Sequence, residues 1–224
     1  MATPILLSWS GGKDAAWALH ELRQREDFTV VALLTTLTES YNRSSMQGVR
    51  ADVLQAQADA AGLPLVQAWI PPVCDNTVYL ARMSEALTGA RQRWPALETI
   101  AFGDLLLADI RDWRVQQYAE LGWRTLFPLF GRDTAALARQ MVQEGLRAQL
   151  CCVDSQVLDA TFAGHAFDMA FLDALPAGVD ACGENGEFHT CVSAGPMFRA
   201  PLRLRQGDTV LRDARYAYTD FLTA

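Results

Sequence analysis

The hydrophobic positions in the first half of the chain alternate between short apolar runs and stretches with helical spacing. Four runs are rich in Ile, Leu, Val and Thr and predict buried strands, at residues 5–7, 28–37, 64–70 and 99–102. Four intervening stretches have apolar positions three or four residues apart or end in Gly or Pro, and predict helices at residues 15–22, 54–61, 76–93 and 109–121. Strands that alternate with helices of this length predict an α/β fold, with a parallel sheet and helices on both faces.

The pattern changes after Pro128. Asp133 is the predicted N-cap of a helix that carries Leu137 and Met141. Further on, the spacing predicts a helix at residues 167–172. It also predicts four short strand-like pieces, at residues 150–153, 187–192, 197–204 and 209–218. We therefore expect a smaller C-terminal α+β domain, and we divide the chain into domains 1–130 and 131–224.

A glycine-rich loop connects the first predicted strand to the first predicted helix. It reads Ser8-Trp9-Ser10-Gly11-Gly12-Lys13-Asp14. Glycine allows positive φ and close approach of the backbone, and the free N–H groups and dipole of a helix start attract anions. The Walker A loop does not fit, because Leu7 and Asp14 replace residues that it requires. The dinucleotide fingerprint does not fit either, because Gly11 and Gly12 are adjacent. The loop predicts a phosphate site formed by Ser8, Ser10, Gly11, Gly12, Lys13 and Asp14, with Asp14 as a candidate Mg²⁺ ligand.

A second motif, Cys182-Gly183-Glu184-Asn185-Gly186-Glu187-Phe188-His189-Thr190, concentrates acids, an amide and an imidazole. If a strand begins at Glu187, alternation places Glu187 and His189 on one face, where a carboxylate beside an imidazole can relay a proton. Glu184 on the preceding turn is expected to converge on the same place. The alternative is a polar turn that enters a hairpin with a solvated Glu/His face.

Together these motifs resemble a known family. The Ser10–Asp14 loop resembles the S-G-G-x-D-S loop of the PP-loop ATP pyrophosphatases. When Gly103–Asp104, Pro128–Arg132, Gly183–Thr190 and Gly195–Pro196 are added, the chain resembles the diphthine–ammonia ligase family from residue 5 to about residue 200. One position departs from the loop pattern, since Ala15 replaces its final Ser or Thr.

The resemblance implies a function for each part of the chain. The first domain would be of the PP-loop/HUP type and bind ATP with Mg²⁺, and the second would bind the acceptor. The implied reaction adenylates a carboxylate, diphthine on translation elongation factor 2 in the named family, and lets ammonia displace AMP after pyrophosphate has left. The implied catalytic residues are Lys13, Asp14, Glu184, Glu187 and His189. The implied acceptor-binding residues are Gly183, Glu184, Asn185, Gly186, Glu187, His189 and Thr190.

Weaker candidates lie at the predicted strand ends. Gly103 and Asp104 follow the fourth strand, at the edge where open α/β sheets place ligands. Thr35, late in the second strand, is expected to flank the adenine. Single arginines such as Arg50, Arg111 and Arg114 are either phosphate ligands or solvated surface groups.

Composition narrows the class of protein. The 224 residues carry a formal net charge of -7, which argues against a whole-chain nucleic-acid footprint. Lys13 is the one lysine of the chain. The five cysteines show no C-x-x-C spacing, and no apolar stretch is long enough to cross a membrane, so we expect a cytoplasmic protein without membrane partners. Two alternative functions remain open at this point: a PP-loop enzyme that modifies tRNA, and a non-catalytic adenine-nucleotide sensor.

Overall fold

The computed structural model of the protein describes residues 2–45 and 47–224. It contains two β-sheets, one in each half of the chain. The strands are β1 (Thr3–Ser8), β2 (Phe28–Thr38), β3 (Arg43–Ser44), β4 (Leu65–Ile70), β5 (Thr99–Ala101), β6 (Arg124–Leu126), β7 (Arg147–Asp154), β8 (Phe188–Ala194), β9 (Leu204–Arg212) and β10 (Tyr216–Thr223). The helices are α1 (Lys13–Arg23), α2 (Ala51–Ala61), α3 (Asn76–Arg93), α4 (Ala108–Glu120), α5 (Thr134–Gln143) and α6 (Met169–Ala174).

The first sheet is mainly parallel and contains a topological switch point. Strand β1 pairs in parallel with both β2 and β5, β2 pairs with β4, and β5 pairs with β6. Only the two-residue β3 runs antiparallel, against the end of β2. The chain order therefore reverses between β1 and β5, and the crevice at the carboxyl ends of these two strands is where an open α/β sheet binds its ligand.

Helices cover both faces of this sheet because the strand side chains alternate between two apolar clusters. Ile5 and Leu7 of β1 belong to a cluster that includes Trp17 and Leu54 from α1 and α2. Leu6 of β1 belongs to the opposite cluster, which includes Met83 and Leu87 of α3 and Tyr118 of α4. The prediction of an α/β fold with helices on both faces is confirmed.

The second sheet is antiparallel, with strand order β8-β7-β10-β9. Its buried face, with Leu150 and Val153 of β7 and Val192 of β8, joins the same apolar cluster as α1 and α2. The two halves of the chain consequently share one continuous core. Asp133 caps α5 as predicted, since its carboxylate accepts a hydrogen bond from the N–H of Ala136 at 2.8 Å.

The largest errors of the sequence-based prediction lie near the C-terminus. Residues 197–203 form turns and irregular backbone, and β9 begins only at Leu204. The strand predicted at 209–218 is two strands, because Asp213 and Ala214 adopt φ of 51° and 50° and make a tight hairpin turn between β9 and β10. Such a turn normally carries Gly or Asn, and this one gives no such signal. The short strands β3 and β6 were also missed.

Candidate active site

A cleft of about 870 Å³ opens at the switch point of the first sheet and is closed on its far side by the second sheet. One side is lined by Ser8, Ser10, Gly12, Lys13 and Asp14 of the glycine-rich loop at residues 8–14, which is called the phosphate loop for its predicted ligand. Gly103 and Asp104 after β5 extend that wall, and residues 182–186 and 188–190 form the opposite one. A volume of several hundred cubic ångströms is typical of small-molecule sites.

The loop before α1 is held in place from beneath by a buried amide. Gly11 has φ of +82°, and a Cβ there would lie 2.7 Å from a methyl carbon of Leu54, so the position requires glycine. Gln57 of α2 is fully buried and donates from Nε2 to the carbonyl oxygens of Gly11 and Val192, at 3.0 and 2.7 Å. Its Oε1 accepts from the indole N–H of Trp9. One side chain thus joins the phosphate loop to α2 and to β8.

Two hydroxyl groups meet the N–H groups at the start of α1. The N–H of Gly12 donates to Oγ of Ser10 at 3.3 Å, and the N–H of Lys13 donates to Oγ1 of Thr190 at 3.0 Å. Both hydroxyls also line the cleft. These hydroxyls occupy the N–H groups of Gly12 and Lys13, the dipole of the helix start favours an anion beside them, and Thr190 fixes the loop against the second sheet.

The ammonium group of Lys13 lies deep between the two halves of the chain. It donates to Oδ2 of Asp14 at 2.8 Å and to the carbonyl oxygen of Cys182, and it lies 5.8 and 5.5 Å from the ring centres of Phe167 and Phe188. Burial opposes its charge, but the carboxylate of Asp14 outweighs that effect and raises the pKa of Lys13. The lysine therefore stays protonated and links the phosphate loop to the turn at Cys182.

Asp14 keeps one carboxylate oxygen free. Its Oδ2 is taken by Lys13, whereas Oδ1 is buried and has no hydrogen-bond partner among the residues that the structure describes. An unpartnered carboxylate oxygen beside the predicted phosphate site suits Mg²⁺, which proteins bind through one or two carboxylates together with phosphate oxygens and water. The residues present therefore fit the predicted metal. In the described ranges, no group of three or more His, Cys, Asp or Glu side chains forms a protein-only metal site.

Asp104 forms an ion pair with Arg114 of α4, which also lines the cleft. Nε of Arg114 lies 2.8 Å from Oδ2 of Asp104, and the guanidinium covers the ring of Phe102 at 4.4 Å. Gly103 is needed beside it, because a Cβ there would lie 2.9 Å from the backbone nitrogen of Ala15. This close contact brings the loops after β1 and β5 together. It also leaves Ala15 buried at the loop position where a hydroxyl is usual.

Glu184 reaches across the cleft from the second half of the chain. Its Oε2 accepts hydrogen bonds from the N–H groups of Leu105 and Leu106, at 3.1 and 3.2 Å. Burial and the nearby negative charge of Asp14 raise the pKa of Glu184 to about 7. A carboxyl group in this range exchanges its proton near neutral pH, which is what a general acid or base requires.

Glu187 holds the turn and does not line the cleft. Strand β8 begins at Phe188, one residue later than predicted. The carboxylate of Glu187 accepts from the backbone N–H groups of Asp180 and Asn185, at 3.0 and 2.9 Å, and from the amide of Asn185. It is 4% exposed. The predicted face shared by Glu187 and His189 is therefore not formed, because the turn uses the carboxylate.

His189 does face the cleft, in a row of side chains that crosses the second sheet. Cys152 of β7 pairs with His189 of β8 on one side and with Tyr218 of β10 on the other, and all three residues line the cleft together with Tyr216. Burial lowers the pKa of His189 to about 4, so its imidazole is neutral at pH 7. Burial raises the pKa of Cys152 to about 11 and also raises the pKa of Tyr218. This wall is therefore uncharged at neutral pH.

The structure brings most of the predicted site residues into one place. Thirteen of them line the cleft: Ser8, Ser10, Gly12, Lys13, Asp14, Gly103, Asp104, Gly183, Glu184, Asn185, Gly186, His189 and Thr190. Gly11, Thr35 and Glu187 do not line it; Gly11 supports the loop, and the hydroxyl of Thr35 is buried in β2. Of the weaker arginine candidates, Arg114 lines the cleft, Arg50 pairs with Asp220 and Arg111 pairs with Asp112.

Sequence reasoning missed the residues that strand pairing and helix packing bring to the cleft. They include Phe102, Leu107, Ile110, Cys152, Tyr216 and Tyr218. None of them belongs to a local motif. The period-two pattern of β7 and β10 identifies candidate faces, but the register of the strands decides which residues meet His189.

Most of the chain matches two family models. Residues 3–125 match the family model of the diphthamide synthase N-terminal domain, and residues 133–218 match that of the diphthamide synthase C-terminal domain. No protein of the curated set is significantly similar to the chain. Among solved structures, the U34-tRNA thiolase NcsA from Methanococcus maripaludis with its [4Fe-4S] cluster is similar, with 12% sequence identity and a TM-score of 0.35. The similarity covers 58% of this chain and 52% of that one, about half the length of the thiolase.

Proposed function

We propose that this chain, which belongs to the diphthamide synthase family, is a ligase that adenylates a carboxylate acceptor with ATP and passes the acyl group to ammonia. Family membership by itself supports a coarser statement, that the protein is an ATP-using enzyme of the PP-loop type. The carboxylate acceptor, the ammonia and the residue roles are the parts that we propose. A diphthine-like acceptor is the one suggested by the family.

One observation carries the proposal: the phosphate loop and the Gly183–Thr190 motif face each other across a single cleft. The contact between them is direct, since the N–H of Lys13 donates to the hydroxyl of Thr190. Nucleotide phosphates bound at the start of α1 would therefore lie within reach of groups carried by the second sheet. Such proximity is what converts a reaction between two bound substrates into an effectively intramolecular step.

The chemistry takes place in two displacements. A carboxylate oxygen of the acceptor attacks the α-phosphorus of ATP, the bond to the bridging oxygen of the β-phosphate breaks, and pyrophosphate leaves. Ammonia then attacks the acyl carbon, AMP leaves, and the nitrogen loses one proton as the amide forms. Activation is needed because a free carboxylate is a poor electrophile and an acyl-adenylate is a good one.

The chain supplies donors, one ionisable acid and an enclosed site for these steps. The dipole at the start of α1 favours negative charge at the phosphates, and the ammonium of Lys13 holds the carboxylate of Asp14 beside them. Asp14 is the residue that would hold Mg²⁺, which would neutralise the charge of the departing pyrophosphate. Glu184, with its pKa near 7, is the group that we assign to receive the proton released by the attacking nitrogen.

The decisive experiment is to identify the products formed from ATP. Purified protein is incubated with ATP, Mg²⁺, ammonium and candidate carboxylates, and nucleotides are separated by ion-exchange chromatography. We expect AMP and pyrophosphate in equal amounts, with more of both when the correct acceptor is present. Steady formation of ADP and phosphate would overturn the proposal.

A second candidate function is an adenine-nucleotide sensor, which two features of the loop favour. Ala15 provides no hydroxyl at the end of the loop, and the ammonium of Lys13 is committed to Asp14 and the carbonyl of Cys182. In this case ATP would raise the melting temperature without any turnover, whichever acceptor is supplied. The same chromatographic assay, run beside thermal unfolding, separates the two functions.

A further inference from the structure

The far wall of the cleft contains a residue that no sequence motif marks. Tyr218 lies on β10, directly opposite Cys152 of β7, which lies in turn opposite His189 of β8. Directly opposed residues in neighbouring strands have Cβ atoms about 4.5–5.5 Å apart, so the three side chains form a row across the sheet. Since all three line the cleft, the row faces the phosphate loop.

This row is attached to the phosphate loop at its His189 end. Thr190, the next residue of β8, accepts the N–H of Lys13 in the first turn of α1. A group that binds at His189 and Tyr218 is therefore adjacent to phosphates bound by the loop. That is the position that a second substrate must occupy to meet the nucleotide.

The ring of Tyr218 is set by its surroundings. Gly48 adopts φ of +70°, and a Cβ at this position would lie 3.3 Å from two carbons of the tyrosine ring. The guanidinium of Arg212 lies 5.5 Å from the ring centre. The thiol of Cys152 and the hydroxyl of Tyr218 are close enough to perturb each other's pKa. These contacts restrict the phenol to one place in the wall.

The charges of the cleft define what this wall can bind. Both cations that line the cleft are already paired, Lys13 with Asp14 and Arg114 with Asp104. Within residues 2–45 and 47–224, the cleft thus offers a second substrate no uncommitted cation. What remains on the far wall is the neutral imidazole of His189, the thiol of Cys152 and the phenols of Tyr216 and Tyr218.

We propose that Tyr218 is an acceptor-binding residue, whose hydroxyl donates a hydrogen bond to the carboxyl group of the second substrate while the imidazole of His189 donates another. Neutral donors suit this role, because they orient a carboxylate without the strong ground-state stabilisation of an ion pair, which would weaken it as a nucleophile. This inference rests on the proposed function. It adds the place where the acceptor binds and the chemical class of its ligands.

The test compares two tyrosine variants, Y218F and the control Y41F. Tyr218→Phe removes only the hydroxyl, and Tyr41→Phe removes the hydroxyl of a tyrosine that is 58% exposed and does not line the cleft. A non-hydrolysable ATP analogue is bound first, and propionate, the probe for a carboxyl group, is then titrated by ligand-observed NMR. We expect propionate to bind roughly three- to tenfold more weakly to Y218F, the effect of one lost hydrogen bond. Binding of the ATP analogue should change less than twofold, and Y41F should behave as wild type.

Two further measurements separate binding from structural effects. Gly48→Ala places a Cβ 3.3 Å from two carbons of the Tyr218 ring, so it should weaken propionate binding, less than Y218F does and again without loss of the ATP analogue. Added salt should not weaken propionate binding, because neutral donors are not screened as a cation would be. Thermal unfolding shows that each variant is folded.

Three results would overturn the inference. The first is unchanged propionate binding in Y218F, and the second is an equal loss of binding of the ATP analogue, which would assign Tyr218 to the nucleotide. The third is that wild-type protein binds the analogue but does not bind propionate. Failure of the proposed function gives a different result, since wild-type protein would then not bind the ATP analogue or would release ADP.

Discussion

At the scale of single residues, burial decides what the charged groups of the cleft do. Lys13 is 2% exposed, and its ammonium is satisfied by a carboxylate and a backbone carbonyl. Glu184 is partly exposed, and burial together with Asp14 brings its pKa to about 7. Burial therefore gives Glu184 a proton that exchanges near neutral pH, whereas in Lys13 the carboxylate of Asp14 outweighs burial and keeps the ammonium charged.

Lys13→Met should destabilise the protein by roughly 1–3 kcal/mol, because the buried carbonyl of Cys182 and the carboxylate of Asp14 lose their partner. Urea unfolding measures the change. Arg25→Met is the matched control, since Arg25 pairs with Asp27 at the surface and its loss should change stability by less than about 0.5 kcal/mol. Equal stability of the two variants would contradict this interpretation of Lys13.

Glu184→Gln should remove a pH dependence that the wild type shows. If the Glu184 carboxylate accepts a proton in the reaction, the wild-type rate of AMP formation rises with pH through about 7. The variant should be slow, and its rate should not show this rise. If the rate of the variant rose with pH as that of the wild type does, the titrating group would be a residue other than Glu184.

The free energy of unfolding should also depend on the protonation of Glu184. Because the pKa of Glu184 is higher in the folded protein than its ordinary value of 4.5, the folded state keeps the proton up to a higher pH than the unfolded state does. Wild-type stability therefore falls relative to Glu184→Gln as pH rises from about 4.5 through 7. Urea unfolding of both proteins at pH 5 and pH 8 measures the difference.

At the scale of elements, the second sheet depends on a strained turn between β9 and β10. Asp213 and Ala214 both adopt positive φ, and Tyr216 pairs with Arg212 directly beyond them. This turn sets the register that places Tyr216 and Tyr218 in the wall of the cleft. An alanine in this conformation is held by the rest of the hairpin against its own preference.

Ala214→Gly should stabilise the protein by roughly 0.5–1 kcal/mol, because glycine adopts positive φ without steric cost. The midpoint of thermal or urea unfolding measures the gain. Gly145→Ala is a useful opposite case, since Gly145 has φ of 91° with open space around its Cβ position and should lose stability through backbone strain alone. If both variants moved stability in the same direction, strain at residue 214 would not be the cause.

At the scale of the whole molecule, a shared core and one ion-pair cluster join the two halves. Asp220 of β10 accepts hydrogen bonds from Arg43, at 2.8 Å, and from Arg50, at 2.6–3.0 Å. Burial opposes ionisation of Asp220, but the two guanidinium groups outweigh it and hold its pKa well below the usual range. Because both arginines belong to the first half of the chain, this cluster ties β10 to that half.

Asp220→Asn should destabilise the protein by about 2 kcal/mol at pH 7, less than for a fully buried pair because each group is partly exposed. A depressed pKa contributes stability that is present above the ordinary carboxyl pKa and is lost as pH falls. The difference between wild type and variant should therefore shrink as pH is lowered through 4. Asp208→Asn, at an exposed residue for which no ion pair is described, is the control and should have little effect at either pH.

The sequence by itself determined the elements and motifs whose information is local. Apolar spacing gave the alternating strands and helices of the first half, and Asp133 marked the start of α5. Tandem glycines after a strand predicted the loop that leads into α1, and the Gly183–Thr190 motif predicted a turn that leads into a strand. These predictions succeeded because glycine conformation, helix capping and apolar periodicity act within a few residues.

Tertiary structure alone decided which groups meet and which charges remain free. It assigned Glu187 to a turn, gave Lys13 its carbonyl partner 169 residues away, and aligned His189, Cys152 and Tyr218 across three strands. It also divided the predicted strand at 209–218 into a hairpin. The physical reason is that strand register, burial and electrostatic shifts arise from neighbours distant in the chain, and no local pattern encodes them.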